Sequence, residues 1–190
     1  MLAYVFWHWP ASDAPDAERA AYERAQRPFH AALAAAPPDG FVGSAVHAVA
    51  EAPWTGAARA YEDWYRVRSL AALEPLETAA VDARRRGVHD VAAARAAGGT
   101  AGVWRHRRGP GDGAGSWAHW FAKPAGTGYD AFLQALAPAL DAAGAGLWQR
   151  VMTLGPAPEF CALADAPLTL PAASALVRLR RTAVLDTAAG

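Results

Sequence analysis

Residues 98–124, GGTAGVWRHRRGPGDGAGSWAHWFAKP, decide how this chain is divided. Near 100–107 the stretch reads as a β-strand, with Val103 and Trp104 ahead of a basic end. The run GPGDGAGS at 109–116 is too rich in glycine to continue a strand and reads as a loop or linker. From 116 to 124, SWAHWFAKP resumes strand character with aromatic residues, and Pro124 stops it. A strand thus ends one pattern and a second strand opens another.

Working toward the N-terminus, the pattern that ends at 107 is β-α-β-β-α-β. Residues 60–67, AYEDWYRV, and 41–49, FVGSAVHAV, read as strands joined through EAPWTGAAR. A helical region spans 69–97, with Ser69 as its cap and interruptions at Pro75 and Gly87. A helix over 15–36 carries Tyr22, Ala25, Phe29 and Leu33 on one stripe, and PPDG at 37–40 ends it. Residues 2–9, LAYVFWHW, form the first strand. Toward the C-terminus, a helix capped by Thr127 with Asp130 three residues on precedes strands at 146–154, 158–164 and 175–185. The stretch before the last strand is too short and proline-rich for a full second helix. The two patterns show faint internal similarity: WHWP at 7–10 with HWFAKP at 119–124, and YERAQRPFHAAL with YDAFLQALAPAL.

This element order is the ferredoxin-like one. Two such halves, with antiparallel sheets facing each other, resemble the dimeric α/β-barrel superfamily fused into one chain. YEDWY and LGPAPEFC are also similar to segments of an uncharacterised bacterial family. The resemblance implies an α+β fold with halves at 1–108 and 116–190, a linker at 109–115, and a shortened last helix in the second half. The superfamily contains cofactor-free monooxygenases, polyketide cyclases, accessory proteins and haem-binding chlorite dismutases. Shared fold carries none of these activities over.

Composition narrows the partners. Acidic and basic residues balance, 18 against 18, which removes the electrostatic footprint of a nucleic-acid binder. Cys161 is the sole cysteine, so neither an internal disulfide nor a thiolate metal cage is expected. No apolar run is long enough for a membrane span and the N-terminus lacks a basic signal region, so a cytoplasmic protein is expected. No His-x-x-x-His or His-Glu-x-x-His element occurs, so no metal or cofactor is assigned from the sequence. A small-molecule ligand is the expected partner, with homo-oligomerisation open.

Alternation sorts the candidate site residues. Tyr4, Phe6 and His8 share one face of the first strand; Val5, Trp7 and Trp9 share the other. In a barrel of the implied kind the tryptophan face suits the helices, so His8 is expected to look between the sheets. His119 alternates with Trp117, Phe121 and Lys123 and is expected to approach it from the second half. These histidines, with Glu62 beside Trp64, are the candidate acid/base groups. Tyr4, Phe6, Trp64, Trp117, Phe121, Lys123, Arg150 and Glu159 are the candidate substrate-binding groups. Lys123 precedes a helix start and Arg150 needs an anionic partner, either Glu159 or a ligand carboxylate. His30, His47, His89 and His106 read as surface or strand-edge residues.

Three functions fit this pattern. The first is a cofactor-free enzyme acting by general acid/base chemistry on an apolar aromatic or polyketide-like molecule. The second is a non-catalytic binding or accessory protein whose interior is filled by its own tryptophans. The third is a haem protein with a histidine on iron.

Overall fold

The computed structural model describes residues 1–11, 15–152 and 157–188. Strand β1 (Leu2–Trp9) is followed by helix α1 (Asp16–Ala35), then β2 (Phe41–Ala50) and β3 (Arg59–Val67). A 3₁₀ turn (Leu70–Ala72) leads into α2 (Leu73–Ala80), α3 (Arg86–Ala93) and β4 (Gly98–Arg108). Then come β5 (Trp117–Ala122), α4 (Tyr129–Ala142), β6 (Gly146–Val151), β7 (Phe160–Ala164) and β8 (Ser174–Ala188).

Several local expectations shift. Pro75 does not interrupt a helix, because it lies in the first turn of α2, where no backbone N–H is required of it. Gly87 likewise falls inside α3. The break lies between them and is built by Asp82, whose Oδ1 accepts from the backbone N–H groups of Arg84 and Arg85 at 2.9 and 3.0 Å. Buried Arg85 then ties Asp82 to the carbonyl oxygens of Ala79 and Ala36, pinning α2 to the end of α1. Ser69 and Thr127 do not cap: Ser69 makes no side-chain capping bond, and the N-cap of α4 is Gly128.

Every strand pairs antiparallel on both sides, and the sheet closes as β1-β3-β2-β8-β5-β7-β6-β4. Strands β4, β1, β3 and β2 are contiguous, as are β8, β5, β7 and β6. The seams are the β2–β8 and β6–β4 ladders, so no edge is left open to solvent. The glycine-rich stretch between β4 and β5 is tightly placed. Gly109 has φ +70, and a Cβ there would lie 2.1 Å from the Ala145 carbonyl oxygen.

The barrel interior is filled by indoles. Trp7, Trp64, Trp104, Trp120 and Trp148 are fully buried in one cluster with Ala3, Val5, Ala118, Cys161, Leu163 and Leu179. Trp120 meets Trp7, Trp104 and Trp54 edge-on, with centroids 5.1, 5.2 and 5.5 Å away. The expectation that Val5 and Trp7 cover a helix is therefore reversed. An eight-stranded barrel encloses only as much space as side chains can fill, and large apolar groups must fill it.

One acid enters this interior with full compensation. The Trp7 and Trp64 indole N–H groups donate to Glu62 Oε2 and Oε1 at 3.0 and 2.7 Å. Arg181 Nε lies 3.2 Å from Glu62 Oε1, and its guanidinium sits over the Trp64 ring. Arg181 Nη1 donates to the carbonyl oxygens of Gly113 and Gly115 at 3.0 Å, so the loop before β5 stoppers this end of the barrel. Arg181 Nη2 donates to His47 Nδ1 at 2.8 Å. Burial, and then the Arg181 charge, push the His47 pKa down to about 3, so it accepts as a neutral imidazole.

Outside the barrel the two ends of the chain differ. Helix α4 lies on Phe121, Leu147 and Phe160 through Phe132, Leu136 and Leu140, and residues 165–173 add Leu168 and Leu170 instead of a helix. That layer is close-packed. On the other side, α1, α2 and α3 stand over β1 and β3 and leave a cavity of about 760 Å³.

Candidate functional site

The cavity floor is the outer face of the sheet. Tyr4, Phe6 and His8 come from β1, and Asp63 and Tyr65 from β3. The ladder sets Phe6 opposite Asp63 and His8 opposite Tyr61, so His8 reaches Asp63 diagonally. Helix α1 contributes Tyr22, Gln26 and Phe29, spaced to fall on one stripe. Leu73, Leu76 and Glu77 of α2, with His89 and Ala92 of α3, complete the walls. Gly99 lines the cavity where a Cβ would strike the Phe6 ring at 2.5 Å. No lysine or arginine lines the cavity among the described residues.

Asp63 organises the polar part. It is buried, and its Oδ1 lies 2.9 Å from His8 Nε2. Its Oδ2 accepts from the Tyr65 hydroxyl at 2.9 Å and stands 3.4 Å from His30 Nε2. Burial alone raises a carboxyl pKa. Here the two imidazoles that face it, His8 and then His30, outweigh burial and hold Asp63 well below the usual carboxylate range. An ionised Asp63 has only acceptor oxygens, so His8 carries its hydrogen on Nε2.

The other ring nitrogen of His8, Nδ1, meets the Tyr22 hydroxyl. Burial first, then Asp63 and Tyr61, raise the Tyr22 pKa, so its phenol stays protonated. Burial and Asp63 act likewise on Tyr65 and Tyr4. The rings of Tyr4 and Phe6 are nearly parallel, as are those of Phe6 and His8, at 6.4 and 5.3 Å. The floor is therefore a flat aromatic surface ending at an imidazole whose outer nitrogen faces a phenol. Glu77 and His89 add polar groups to the wall above this surface.

The residues read from the sequence separate on this map. Tyr4, Phe6 and His8 lie together on the cavity, but on the helix side of the sheet and not between sheets as expected. The pairing of His8 with His119 fails. His119 belongs to the α4 side, where it is buried with both ring nitrogens on backbone: Nδ1 donates to the Ala162 carbonyl oxygen at 3.2 Å and Nε2 accepts from Leu168 N–H at 2.8 Å. Burial lowers its pKa, consistent with a neutral structural imidazole. Glu62 and Trp64 sit inside the barrel, away from the cavity. Phe121 is core beneath α4, and Trp117 is half-buried on the same strand face. Lys123 donates to the Thr127 carbonyl oxygen at 2.5 Å and lies over the Tyr129 ring, so it closes a turn. Arg150 donates to the Ala157 carbonyl oxygen at 2.5 Å, while Glu159 accepts from Gln149 at 2.9 Å.

Tyr22, Tyr65, Asp63 and His30 were not nominated as site residues by the sequence reading. Asp63 carried a signal, since it alternates with Tyr61 and Tyr65 and so shares their buried face. His30 also carried one: it lies eight residues after Tyr22 and three before Leu33, on the buried stripe of α1. His47, expected at a strand edge, is buried inside the barrel. Among the described residues no group of three or more metal-ligating side chains is assembled, and no helix is long and apolar enough to cross a membrane.

No family profile and no curated protein sequence matches the chain. Three solved structures share its fold along its whole length. A candidate monooxygenase of Fusobacterium nucleatum superposes with a TM-score of 0.65 at 8% identity, over 100% of this chain and 94% of that one. An anthrone oxidase-like protein gives 0.58 at 14% identity, over 100% and 93%. A candidate monooxygenase of Lactobacillus acidophilus gives 0.57 at 10% identity, over 100% and 97%. At these identities the likeness establishes a shared α+β barrel and nothing about chemistry.

Proposed function

We propose that this protein binds a planar, uncharged aromatic or polyketide-like molecule in the cavity between β1, β3 and helices α1–α3, and abstracts a proton from it. The observation that carries this reading is the Asp63–His8–Tyr22 chain on the floor of a large apolar cavity. In the step proposed, an acidic O–H or C–H of the ligand gives its proton to Tyr22 Oη as Tyr22 passes its own to His8 Nδ1. The ligand becomes an anion and His8 an imidazolium held on the Asp63 carboxylate. The contiguous strand groups support reading the chain as two ferredoxin-like halves, of which the first holds the site and the second is closed by its own core.

The test uses anthrone, a neutral tricyclic carbon acid. Wild-type protein is expected to bind it and shift its absorbance toward the anion. His8→Gln and Tyr22→Phe are expected to bind it without that shift. Absence of binding, or ionisation that survives His8→Gln, overturns the reading. The accessory-protein alternative draws on the tryptophan-filled interior, but that interior is not where the cavity lies. Haem draws less support at His8: iron needs an imidazole nitrogen free toward the cavity, and both nitrogens of His8 are engaged.

A further inference from the structure

His30 does not line the cavity, yet it is completely buried against the same carboxylate as His8. With the Thr187 proton placed on the Ser44 carbonyl, the surrounding contacts point to what it carries. The Thr187 hydroxyl donates to the Ser44 carbonyl oxygen at 3.2 Å, which uses its proton. Thr187 Oγ1 is also 3.0 Å from Ser44 Oγ, so the Ser44 proton occupies that contact. Ser44 Oγ then has only lone pairs for His30 Nδ1, 2.7 Å away, and Nδ1 must hold a hydrogen. On the other side of the ring, Tyr65 spends its proton on Asp63. His30 Nε2 therefore faces two acceptors, Tyr65 Oη at 3.3 Å and Asp63 Oδ2 at 3.4 Å. A lone pair there would point at a buried carboxylate, whereas a second N–H answers both oxygens.

We infer that His30 is a positioning residue: it carries the positive charge that balances Asp63, and thereby leaves His8 resting as the neutral imidazole that can take a proton. Asp63 and Tyr65 of β3 are the ionisable groups facing His30 directly. Ser44 of β2 and Thr187 of β8 are uncharged, and His8 and Tyr4 of β1 and Tyr22 of α1 stand beyond Asp63. Toward α3, His89 packs on Phe29. With Asp63 and His30 already a neutral pair, a second cation at His8 would leave net charge buried in an apolar wall. The two histidines thus divide the work: one holds its proton and the other exchanges it.

The role of His8 rests on the proposed function, but the charge on His30 does not, so the first measurement is made without ligand. In nitrogen-15 NMR spectra of the wild-type protein between about pH 6 and 8, both His30 nitrogens should be protonated, while His8 shows one N–H, at Nε2. A neutral His30 overturns the inference whatever the protein binds. The second measurement uses His30→Gln, which keeps an N–H toward Asp63 and removes the charge. His8 should then become the imidazolium, and the pH at which bound anthrone ionises should rise by about one unit, a tenfold change. If His30→Gln folds and the His8 spectrum and the ionisation pH stay put, His30 only packs and the inference falls. If anthrone never ionises, the proposed function fails while the His30 assignment still stands or falls on the ligand-free spectrum.

Discussion

Replacing Trp120 by alanine tests where this protein keeps its core and where it keeps its site. Trp120 is fully buried, and its ring meets Trp7, Trp104, Trp54 and Trp64 at 5.1 to 6.2 Å. Truncating such a side chain costs about 3–5 kcal/mol through lost burial and the cavity left behind. The edge-to-face contacts, each worth roughly 0.5–1.5 kcal/mol, place it toward the upper end. For a chain of this size that is a fall of about 6–20 °C in Tm. Urea unfolding followed by circular dichroism reads the loss. Binding of anthrone, measured under native conditions, should be unchanged, because the rings of the barrel interior do not line the outer cavity. A loss under about 1 kcal/mol would mean that the interior is not packed as described. An anthrone affinity that falls with Trp120 would put the ligand inside the barrel and refute the assignment of the site.

Four further outcomes are expected. Ala92→Phe, which projects a ring into the cavity from α3, should weaken anthrone binding by about tenfold or more while changing stability by roughly 1 kcal/mol; undiminished affinity on isothermal titration would exclude the cavity. Asp63→Asn should cost about 3–5 kcal/mol at neutral pH, because it strands its buried partners. The Asp63 pKa is depressed in the fold, so its contribution is present above the unfolded value near 3.9 and lost as pH falls through the folded one; the gap between variant and wild type should therefore close in strong acid. His47 behaves the same way for a different reason. Folded, it refuses the proton that an unfolded histidine takes near pH 6.5, so stability is complete above that pH and declines toward about pH 3; His47→Gln should flatten this decline in urea midpoints taken across that range. His119→Gln should lower stability by about 1–3 kcal/mol through its unmet backbone partners and leave anthrone ionisation intact.

The strands and their faces were legible because period-two alternation is a local property of the chain. Which face turns inward is not local. On β1 the sequence offers Trp7 opposite Phe6 and His8, and both faces are bulky enough for a core. Closure of the barrel decides between them, since five indoles are needed to fill it and the polar face then falls to the helices. The same blindness hid His30 and Asp63: each sits on a buried stripe, but only the docking of α1 on β3 brings them together. Lys123 is committed to the Thr127 carbonyl, a partner which a sequence does not display.

Glu62 and Asp63 make the final distinction, since they are adjacent, both buried, and on opposite faces of one strand. Burial alone would nominate either as reactive. Their partners separate them. Glu62 is held by two indole N–H groups and a guanidinium, none of which can give up a proton near neutral pH, and it does not line the cavity. Asp63 is held by two imidazoles and a phenol, groups that do exchange protons, at the wall of a cavity large enough for a tricyclic molecule. A buried carboxylate ringed by fixed donors fastens a fold; one ringed by exchangeable donors beside open space can pass a proton along. The strand presents one acid of each kind, and the proposed site belongs to the second.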